Sequence, residues 1–505
     1  MRFPKRPGRA AYKDGLRAVA GFACNQGFVF SLFYLGANRS VGEGPFAFER
    51  ADLFATLVFM VVAFALLRLA SPRARDAALS RPLLWCYAGL LVLGSLVPSL
   101  ADAGAAGILA EGVLVGVPAG LMLSAWGRAF GGRPVDKAVP EVFVAAAVAA
   151  VGCLAFSLIP TPGAMLVLKL LPLGSVLALR GLLPKSSARG ADGDVARGAT
   201  EGAVGAFSFG DLVATRAQRD ETARLSKKII AGTGLFGLAA GFMETFASDP
   251  GMASTPAFAA SLLLLALFCV GALQLLSSGG LSNDAPGAEG HDAPGPLDGV
   301  YRLAILVMMA GFLFVPVLGS FGVPGEAIVL AGYLGLTYVL VSLFLVMAKL
   351  TGQDAAVSFA RGFAMLYLGE MGGIALGNVI EVVEPAGQAP FAVAAFAGLA
   401  ALFSYLFLFT ERDFRALSVI VRDADRFDDA CRLIAEESGL SKRESEILPL
   451  ALRGRTGERI AAEFFISKST VDTHLRRIYA KTGTHSRQEL IDLGERAVRR
   501  LSERG

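Results

Sequence analysis

The residue types best suited to chemistry lie near the C-terminus, where basic and hydroxyl side chains alternate with aliphatic ones. Between Lys468 and Thr482, Val471, Leu475 and Ile478 recur at steps of four and three, which predicts a helix with one apolar face. The opposite face carries Lys468, Ser469, Asp472, Thr473, Arg476 and Arg477. Ammonium, guanidinium and hydroxyl groups on an exposed helix face can donate to nucleic-acid phosphates and base edges. The pattern therefore predicts a DNA-binding helix.

A second set of ionisable side chains lies inside long apolar runs, where a charge is costly and needs a reason. The charged members are Lys169, Glu111, Glu244 and Glu370, and the polar members are Asn25, Gln26 and Asn378. One interpretation is a ligand pocket anchored by Lys169 with Glu370 or Glu111. The alternatives are a structural Lys–Glu pair, or charges near the ends of the runs that reach the interface. Glu111 and Glu244 suit the interfacial interpretation.

Four short helices are predicted around the polar face near the C-terminus. Ser441 and Glu444 form a capping box for a helix over 442–453, which Gly454 ends. Thr456 and Ser467 cap helices over 457–464 and 468–482, and a fourth helix runs over 486–501. Their predicted buried faces comprise Ile447, Leu448, Leu450, Ala451, Ile460, Ala461, Phe464, Leu490, Ile491 and Leu493.

These helices and their spacing resemble the LuxR-type helix-turn-helix family. The matching residues are Leu440-Ser-Lys-Arg-Glu444, Ile447-Leu448, Gly454, Ile460-Ala461, Ile466-Ser467, Thr470-Val471, His474, Ile478-Tyr479, Lys481 and His485-Ser-Arg-Gln-Glu-Leu490. The resemblance covers about an eighth of the chain. It implies that the helix over 468–482 enters the major groove of double-stranded DNA, and that two copies act as a homodimer on paired half-sites.

The resemblance also assigns a DNA-contacting set, which is Lys468, Ser469, Thr470, Thr473, Arg476, Arg477, Lys481 and Arg487. Within it, Lys468, Ser469, Thr473 and Arg476 are candidates for base edges or adjacent phosphates. Arg477, Lys481 and Arg487 are candidates for phosphates, and Arg487 is equally open to a structural ion pair. Asp472 stands where the family usually has lysine, and Thr482 and Thr484 replace apolar residues. Residues 441–505 hold 14 basic and 9 acidic side chains, a net charge of +5, which predicts modest affinity.

The rest of the chain has the composition of a membrane protein, with 54% hydrophobic and 18% charged residues. Its apolar runs are long enough to cross a hydrocarbon core about 30 Å thick. They predict twelve spans, at about 15–36, 51–70, 83–101, 106–126, 141–159, 164–183, 229–247, 257–277, 300–321, 326–347, 358–380 and 390–410. We therefore expect an all-α protein with a polytopic membrane domain over 1–410 and a four-helix DNA-binding domain over 440–505. A juxtamembrane linker helix over 411–439 joins them.

The basic residues of the connections set the predicted orientation. Arg and Lys cluster in the N-terminal tail, in the second and fourth connections, and in the polar loop over 184–228. The intervening connections carry almost no Lys or Arg, with Arg39 and Arg50 as exceptions. Both termini are thus predicted to face the cytoplasm, with the protein in contact with the lipid of the cell membrane.

Six spans, a long cytoplasmic loop and six more spans resemble the layout of major facilitator-type transporters. The family's Gly- and Arg-rich signature loop would fall near Arg68–Arg81, and that stretch lacks its glycines and its ordered basic pair. The departure counts against active transport more than against the fold.

The function predicted from these features is that of a membrane-integral transcription regulator whose membrane domain senses a small-molecule ligand. The alternative is a major facilitator-like transporter with a DNA-binding tail for autoregulation. The motifs predict no enzymatic activity, catalytic residue, metal site or cofactor. The five cysteines form no C-x-x-C pair, and His291 with Asp292 supplies too few ligands for a metal.

Overall fold

Over the residues that it describes, the computed structural model is helical apart from turns and one isolated β-bridge, Val41 with Phe48. The structure describes residues 9–33, 39–42, 47–100, 104–159, 162–183, 216–246, 256–281, 296–318, 325–351, 353–383, 398–399, 427, 429–452, 455–464 and 466–502. The predicted all-α class is confirmed.

The first eleven predicted spans each coincide with a long helix, and a short helix, α3, joins the second and third. The helices are α1 (Arg9–Phe33), α2 (Ala51–Leu69), α3 (Pro72–Ala78), α4 (Arg81–Leu100), α5 (Gly104–Gly131), α6 (Val135–Ser157), α7 (Pro162–Leu182), α8 (Arg216–Phe246), α9 (Pro256–Leu281), α10 (Pro296–Leu318), α11 (Gly325–Thr351) and α12 (Ala355–Val383). Seven of them, α2, α4, α5, α6, α9, α11 and α12, are long and apolar enough to cross a membrane. The predicted multi-pass membrane domain is confirmed. The twelfth predicted span lies outside the described residues except for 398–399.

Two stretches predicted as connections are partly helical. α8 begins at Arg216, inside the loop predicted over 184–228, because Arg, Gln, Glu, Ala and Lys all favour the helix. Residues 184–215, like the linker stretch 411–426, lie outside the described part of the chain. α9 continues to Leu281 and α10 starts at Pro296, so both helices extend into the connection between the spans predicted over 257–277 and 300–321.

The membrane helices form two halves, α1–α7 and α8–α12. Within the first half α1 packs on α6 and α7, and α2 packs on α5; within the second, α8 packs on α12 and α10 on α11. Contacts of α12 with α2 and α5, and of α6 with α9, join the halves. The two halves share one continuous apolar core.

Glycines allow α8 and α12 to approach to backbone contact. A Cβ atom placed on Gly241 would lie 1.9 Å from the carbonyl oxygen of Glu370, and one on Gly373 would lie 2.1 Å from that of Leu238. Neither position has room for a side chain. This packing fixes the backbone that carries Glu370.

The C-terminal helices have a hydrophobic core of their own. They are α13 (429–437), α14 (Lys442–Leu452), α15 (Gly457–Phe464), α16 (Lys468–Thr482) and α17 (Arg487–Ser502). The buried residues are Ala430, Cys431, Ile434, Ile447, Leu448, Leu450, Ala451, Leu452, Ile460, Ala461, Val471, Leu475, Ile478, Leu490 and Ala497. The last part of the predicted linker, α13, is therefore packed into this core.

Candidate nucleic-acid interface and inter-half cavity

A cavity of about 80 Å³ lies where the two halves of the membrane domain meet. Its polar lining comes from α1 (Asn25 and Gln26), α11 (Tyr333, Thr337 and Tyr338) and α12 (Tyr367 and Glu370). Tyr333 Oη donates to Glu370 Oε2 at 2.8 Å, and Tyr338 Oη donates to Gln26 Oε1 at 3.1 Å. The second bond crosses from one half to the other.

Of the three predicted ligand residues, only Glu370 lines this cavity. Glu111 instead accepts from Arg39 Nη1 at 2.7 Å, and Arg39 lies in the connection between α1 and α2. Lys169 is half-buried on α7 and interacts electrostatically with Glu111. The structure therefore places Lys169 and Glu111 with each other and away from Glu370.

The connection between α1 and α2 also forms a polar link between the halves, which the sequence did not reveal. Arg50 Nη2 lies 2.9 Å from Glu244 Oε2 on α8, and both side chains are 1% exposed. Asn378 on α12 accepts from the Glu49 N–H at 2.5 Å and donates to its carbonyl at 3.3 Å. The sequence feature that could have indicated this link is the presence of Arg39 and Arg50 in connections that otherwise carry almost no Lys or Arg.

A second polar link joins the halves at the start of α12, the end of the helix opposite Asn378. Arg128, near the end of α5, is bonded to Asp354, which precedes α12. It also contacts Asp76 of α3 at 2.9 Å. Polar contacts between the halves thus lie on both sides of the cavity.

In the C-terminal domain, side-chain caps start the helices as predicted. Glu444 Oε2 accepts from the Ser441 N–H at 2.7 Å, and Ser441 Oγ accepts from the Glu444 N–H at 3.4 Å, which is a capping box. Thr456 and Ser467 cap α15 and α16. Gly483 ends α16 in the left-handed conformation, with φ at 66°. These caps fix the angle at which α16 leaves the turn after α15.

The apolar face of α16, Val471, Leu475 and Ile478, is buried, as predicted. The side chains of the opposite face are exposed: Lys468, Ser469, Thr470, Thr473, Arg476 and Arg477. Within the part of the chain that the structure describes, Arg476 and Arg477 make no ion pair or side-chain hydrogen bond. Their guanidinium groups are therefore available to an external anion.

Two acidic side chains, Glu458 and Asp472, attract Lys468 in the first turn of α16. Lys468 Nζ lies 2.8 Å from Glu458 Oε1 of α15, and the pair lowers the pKa of Glu458 and raises that of Lys468. Asp472, one turn further along α16, also attracts Lys468. A DNA phosphate would have to displace Glu458 to reach Lys468.

Two of the residues predicted to bind phosphate are not free on the surface. Lys481 is bonded to other residues of the domain, and Arg487 is half-buried. Lys481 Nζ donates to Glu444 Oε2 at 2.7 Å and to the Gly439 carbonyl at 3.1 Å, so it ties α16 to the start of α14. Arg487 is half-buried, and its Nε and Nη2 are buried without a hydrogen-bond partner in the described part of the chain. The contacts of Lys481 therefore give it a structural role, whereas the described residues provide no ion-pair partner for Arg487.

Residues 438–493 match the family model of the bacterial regulatory proteins, luxR family (GerE). This segment is a LuxR-type helix-turn-helix domain. The oxygen regulatory protein NreC of Staphylococcus aureus, strains JH9 and JH1, is 45% identical over 53 residues, which are 10% of this chain and 24% of that protein. The chain thus spans about a quarter of the length of the curated relatives it matches.

The membrane domain is similar to solved transporter structures at low identity. The human organic anion transporter MFSD10 (TETRAN) has a TM-score of 0.48 and 13% identity, over 79% of this chain and 100% of that one. The major facilitator superfamily transporter FucP in the outward conformation has a TM-score of 0.44 and 13% identity, over 82% and 98%. These values assign no activity to the chain.

A carboxylate inside the LuxR-type domain gives a pH-dependent prediction. The hydrogen bond from Lys481, with that from the Ser441 N–H, lowers the pKa of Glu444 to about 2. We expect Glu444→Gln to lower the free energy of unfolding by about 1–2 kcal/mol at neutral pH. The carboxylate is enclosed by its neighbours, but Lys481 is 39% exposed, so solvent screening keeps the loss small.

The sign of the pH effect follows from the lowered pKa. A carboxyl with a lower pKa in the folded state stabilises the fold above its unfolded pKa of about 4.3, and that contribution is lost as the pH falls toward 2. The difference between parent and Glu444→Gln should therefore shrink over this range. Urea denaturation of residues 427–505 measures it, with Glu446→Gln on the exposed face of α14 as the control. A difference that stays constant with pH would contradict the assignment.

Proposed function

We propose that this protein is a membrane-integral transcription regulator, in which the LuxR-type domain binds promoter DNA and the membrane domain controls that binding. The observation that carries the proposal is the exposed face of α16, with two available arginines, on the same chain as a multi-pass membrane domain. A regulator built in this way acts on DNA close to the membrane.

In the proposed complex α16 lies in the major groove, and two copies bind paired half-sites as a homodimer. Ser469, Thr473 and Arg476 face base edges and adjacent phosphates, while Thr470 and Arg477 bind phosphates. Lys468 joins them when it leaves Glu458. Lys481, which the sequence suggested as a phosphate ligand, holds α16 against the start of α14 in this proposal, and Arg487 remains a candidate for phosphate.

The proposed orientation places both termini in the cytoplasm and the protein in the cytoplasmic membrane, in contact with lipid. The supporting feature is the concentration of Lys and Arg in the N-terminal tail and alternate connections. A cytoplasmic C-terminus gives the LuxR-type domain access to the chromosome.

The proposed signal site is the cavity between the halves, because a ligand there contacts both of them. Gln26 of α1 and Glu370 of α12 both line it, and they belong to different halves. A ligand that changes the spacing of the halves changes the position of the chain after α12, and this covalent path leads to α13 and the LuxR-type domain. The control is thus exerted through dimerisation or through presentation of α16.

The test is selection of DNA by the full chain in lipid nanodiscs. We expect a randomised duplex library to be enriched in sites with two similar half-sites, whose centres lie about one helical turn (10–10.5 base pairs) or a multiple apart. A protein lacking α16 is the control. Failure to enrich any sequence at low salt would overturn the proposal.

A charge on α16 provides a graded test of the same surface. Asp472→Lys removes a negative charge beside Lys468 and adds a positive one, so we expect affinity for a selected duplex to rise about tenfold at low salt. Titrations at several salt concentrations should show a slope of log Kobs against log salt that is steeper by about 1–2. Glu495→Lys, on the exposed side of α17, makes the same charge change elsewhere. Equal gains from both variants would show that the effect is non-specific.

A second candidate function is a transporter whose DNA-binding tail regulates its own synthesis. The enclosed cavity between two halves favours it, because transport requires such a site to open alternately to the two sides. Flux of a cavity ligand into proteoliposomes, lost in Glu370→Gln, would support it. Binding without flux would support the regulator.

A further inference from the structure

The inter-half cavity has a negative and hydrogen-bond-accepting character. Glu370 supplies a carboxylate, and Gln26 and Asn25 supply amide oxygens. No Lys, Arg or His of the described part of the chain lines it. A cation would stabilise the ionised form of Glu370, whereas an anion would meet these acceptors without any compensating cation in the lining.

The Glu370 carboxylate is enclosed and held in place. The residue is 4% exposed, and its oxygen Oε2 receives the Tyr333 hydroxyl. In the described part of the chain the donor to this carboxyl group is the neutral Tyr333 hydroxyl, and a buried carboxylate gains from a further, charged donor.

Aromatic rings make up much of the remaining surface. Phe28, Phe30, Phe363 and the three tyrosines Tyr333, Tyr338 and Tyr367 line the cavity. The rings of Phe363 and Tyr367 are packed together with their centroids 5.6 Å apart. Aromatic faces attract ammonium groups and also accommodate alkyl groups.

The size of the cavity restricts the ligand further. Its volume of about 80 Å³ is well below the roughly 300–1,000 Å³ of pockets for drug-sized molecules. The occupant is therefore a small molecule with one charge and a short apolar part.

We propose that the inter-half cavity binds a small protonated amine, whose ammonium N–H groups donate to Glu370 and Gln26 while its alkyl part lies among the phenylalanine and tyrosine rings. This inference deepens the proposed function by naming the ligand class of the signal site. Gln26 and Glu370 belong to different halves, so the ammonium group links them. Occupancy thereby favours the arrangement in which the two halves are held together at the cavity.

The experiment measures equilibrium binding to the full chain in nanodiscs at neutral pH. The probes are n-butylamine, cyclohexylamine, tetramethylammonium, n-butanol and butyrate, each tested directly and in competition. We expect saturable binding of the two primary amines. Tetramethylammonium, which has no N–H donor, should bind about tenfold more weakly, because it forms no hydrogen bond to the carboxylate. Butanol and butyrate should not compete.

Glu370→Gln should weaken amine binding about tenfold or more, since it removes the charge from the acceptor. Glu141→Gln is the matched control, because this carboxylate bonds Arg133 at 2.5 Å and does not line the cavity. If Glu370→Gln fails to fold, the preference of the parent protein for primary amines over tetramethylammonium, butanol and butyrate still tests the proposal.

Three results would overturn the inference: no saturable binding of either primary amine, competition by butyrate equal to that of butylamine, or unchanged amine binding by a folded Glu370→Gln protein. Retention of selected DNA is measured separately on the same samples. Loss of amine binding with DNA retention intact rejects the ligand class and leaves the regulator standing. Absence of DNA retention rejects the regulator itself.

Discussion

Reversing two charges on α16, with Arg476→Glu and Arg477→Glu combined, should weaken retention of a selected duplex by the full chain at least about a hundredfold. Both side chains are exposed, and neither is engaged by another group in the described part of the chain. Each direct contact is worth roughly 1–3 kcal/mol, and the introduced carboxylates repel phosphates in addition. The loss therefore exceeds the effect of a simple truncation.

The control for this prediction uses two arginines of the same domain that lie outside α16. Arg496→Glu with Arg499→Glu makes the same change in net charge on the exposed side of α17. We expect it to weaken binding only a fewfold, through the long-range field. Equal losses from both double variants would show that net charge, and not the face of α16, governs binding.

Salt dependence separates direct contacts from the general field. Loss of two phosphate contacts should reduce the slope of log Kobs against log salt by about 2. Thermal unfolding of both double variants should match that of the parent, because none of the four side chains is buried. A destabilised Arg476/Arg477 variant would assign the weakened binding to loss of the fold.

The C-terminal domain was predictable because its signals are local. Ser441 and Glu444, three residues apart, cap α14, and the spacing of Val471, Leu475 and Ile478 marks the buried face of α16. Such signals depend on neighbouring residues only, so they can be recognised without the tertiary structure. The predicted bounds of α15 and α16 are those observed.

The role of Lys481 was less accessible from the sequence. Its charge and its place near the end of α16 are equally suited to a phosphate and to a structural acceptor. Its partner Glu444 lies 37 residues earlier in the chain. Only the packing of α16 against α14 brings the two together, and no local spacing records it.

The same limit applies to the membrane domain, where length and hydropathy located the spans but not the pairing of their charges. Glu244 looked interfacial because it lies close to the end of the span predicted over 229–247. Its partner Arg50 is 194 residues away, at the start of α2. Depth along a span can be estimated from sequence, whereas the identity of a facing residue depends on how the halves dock.

The buried pair Arg50 and Glu244 gives the second large prediction. Arg50→Met should lower the stability of the membrane domain by about 3–5 kcal/mol, because it leaves the Glu244 carboxylate buried without its cation. The control is Arg17→Met, which removes an arginine from a pair with Asp14 whose side chains are 54% and 47% exposed. That change should cost less than about 1 kcal/mol. Denaturant titration of the full chain in mixed micelles compares the two.

The double variant Arg50→Met, Glu244→Met distinguishes a broken ion pair from a packing defect. Arg50 has a φ of 55°, so methionine at this position keeps the same unfavourable backbone in the single and the double variant. Removing both charges should restore most of the lost stability, since the Glu244 carboxylate is no longer buried without Arg50. No recovery would mean that the loss came from packing around Arg50. Arg50 directly precedes α2 and Glu244 lies on α8. With the Glu244→Met single variant added, the coupling energy of the cycle measures how strongly this pair holds the two halves together.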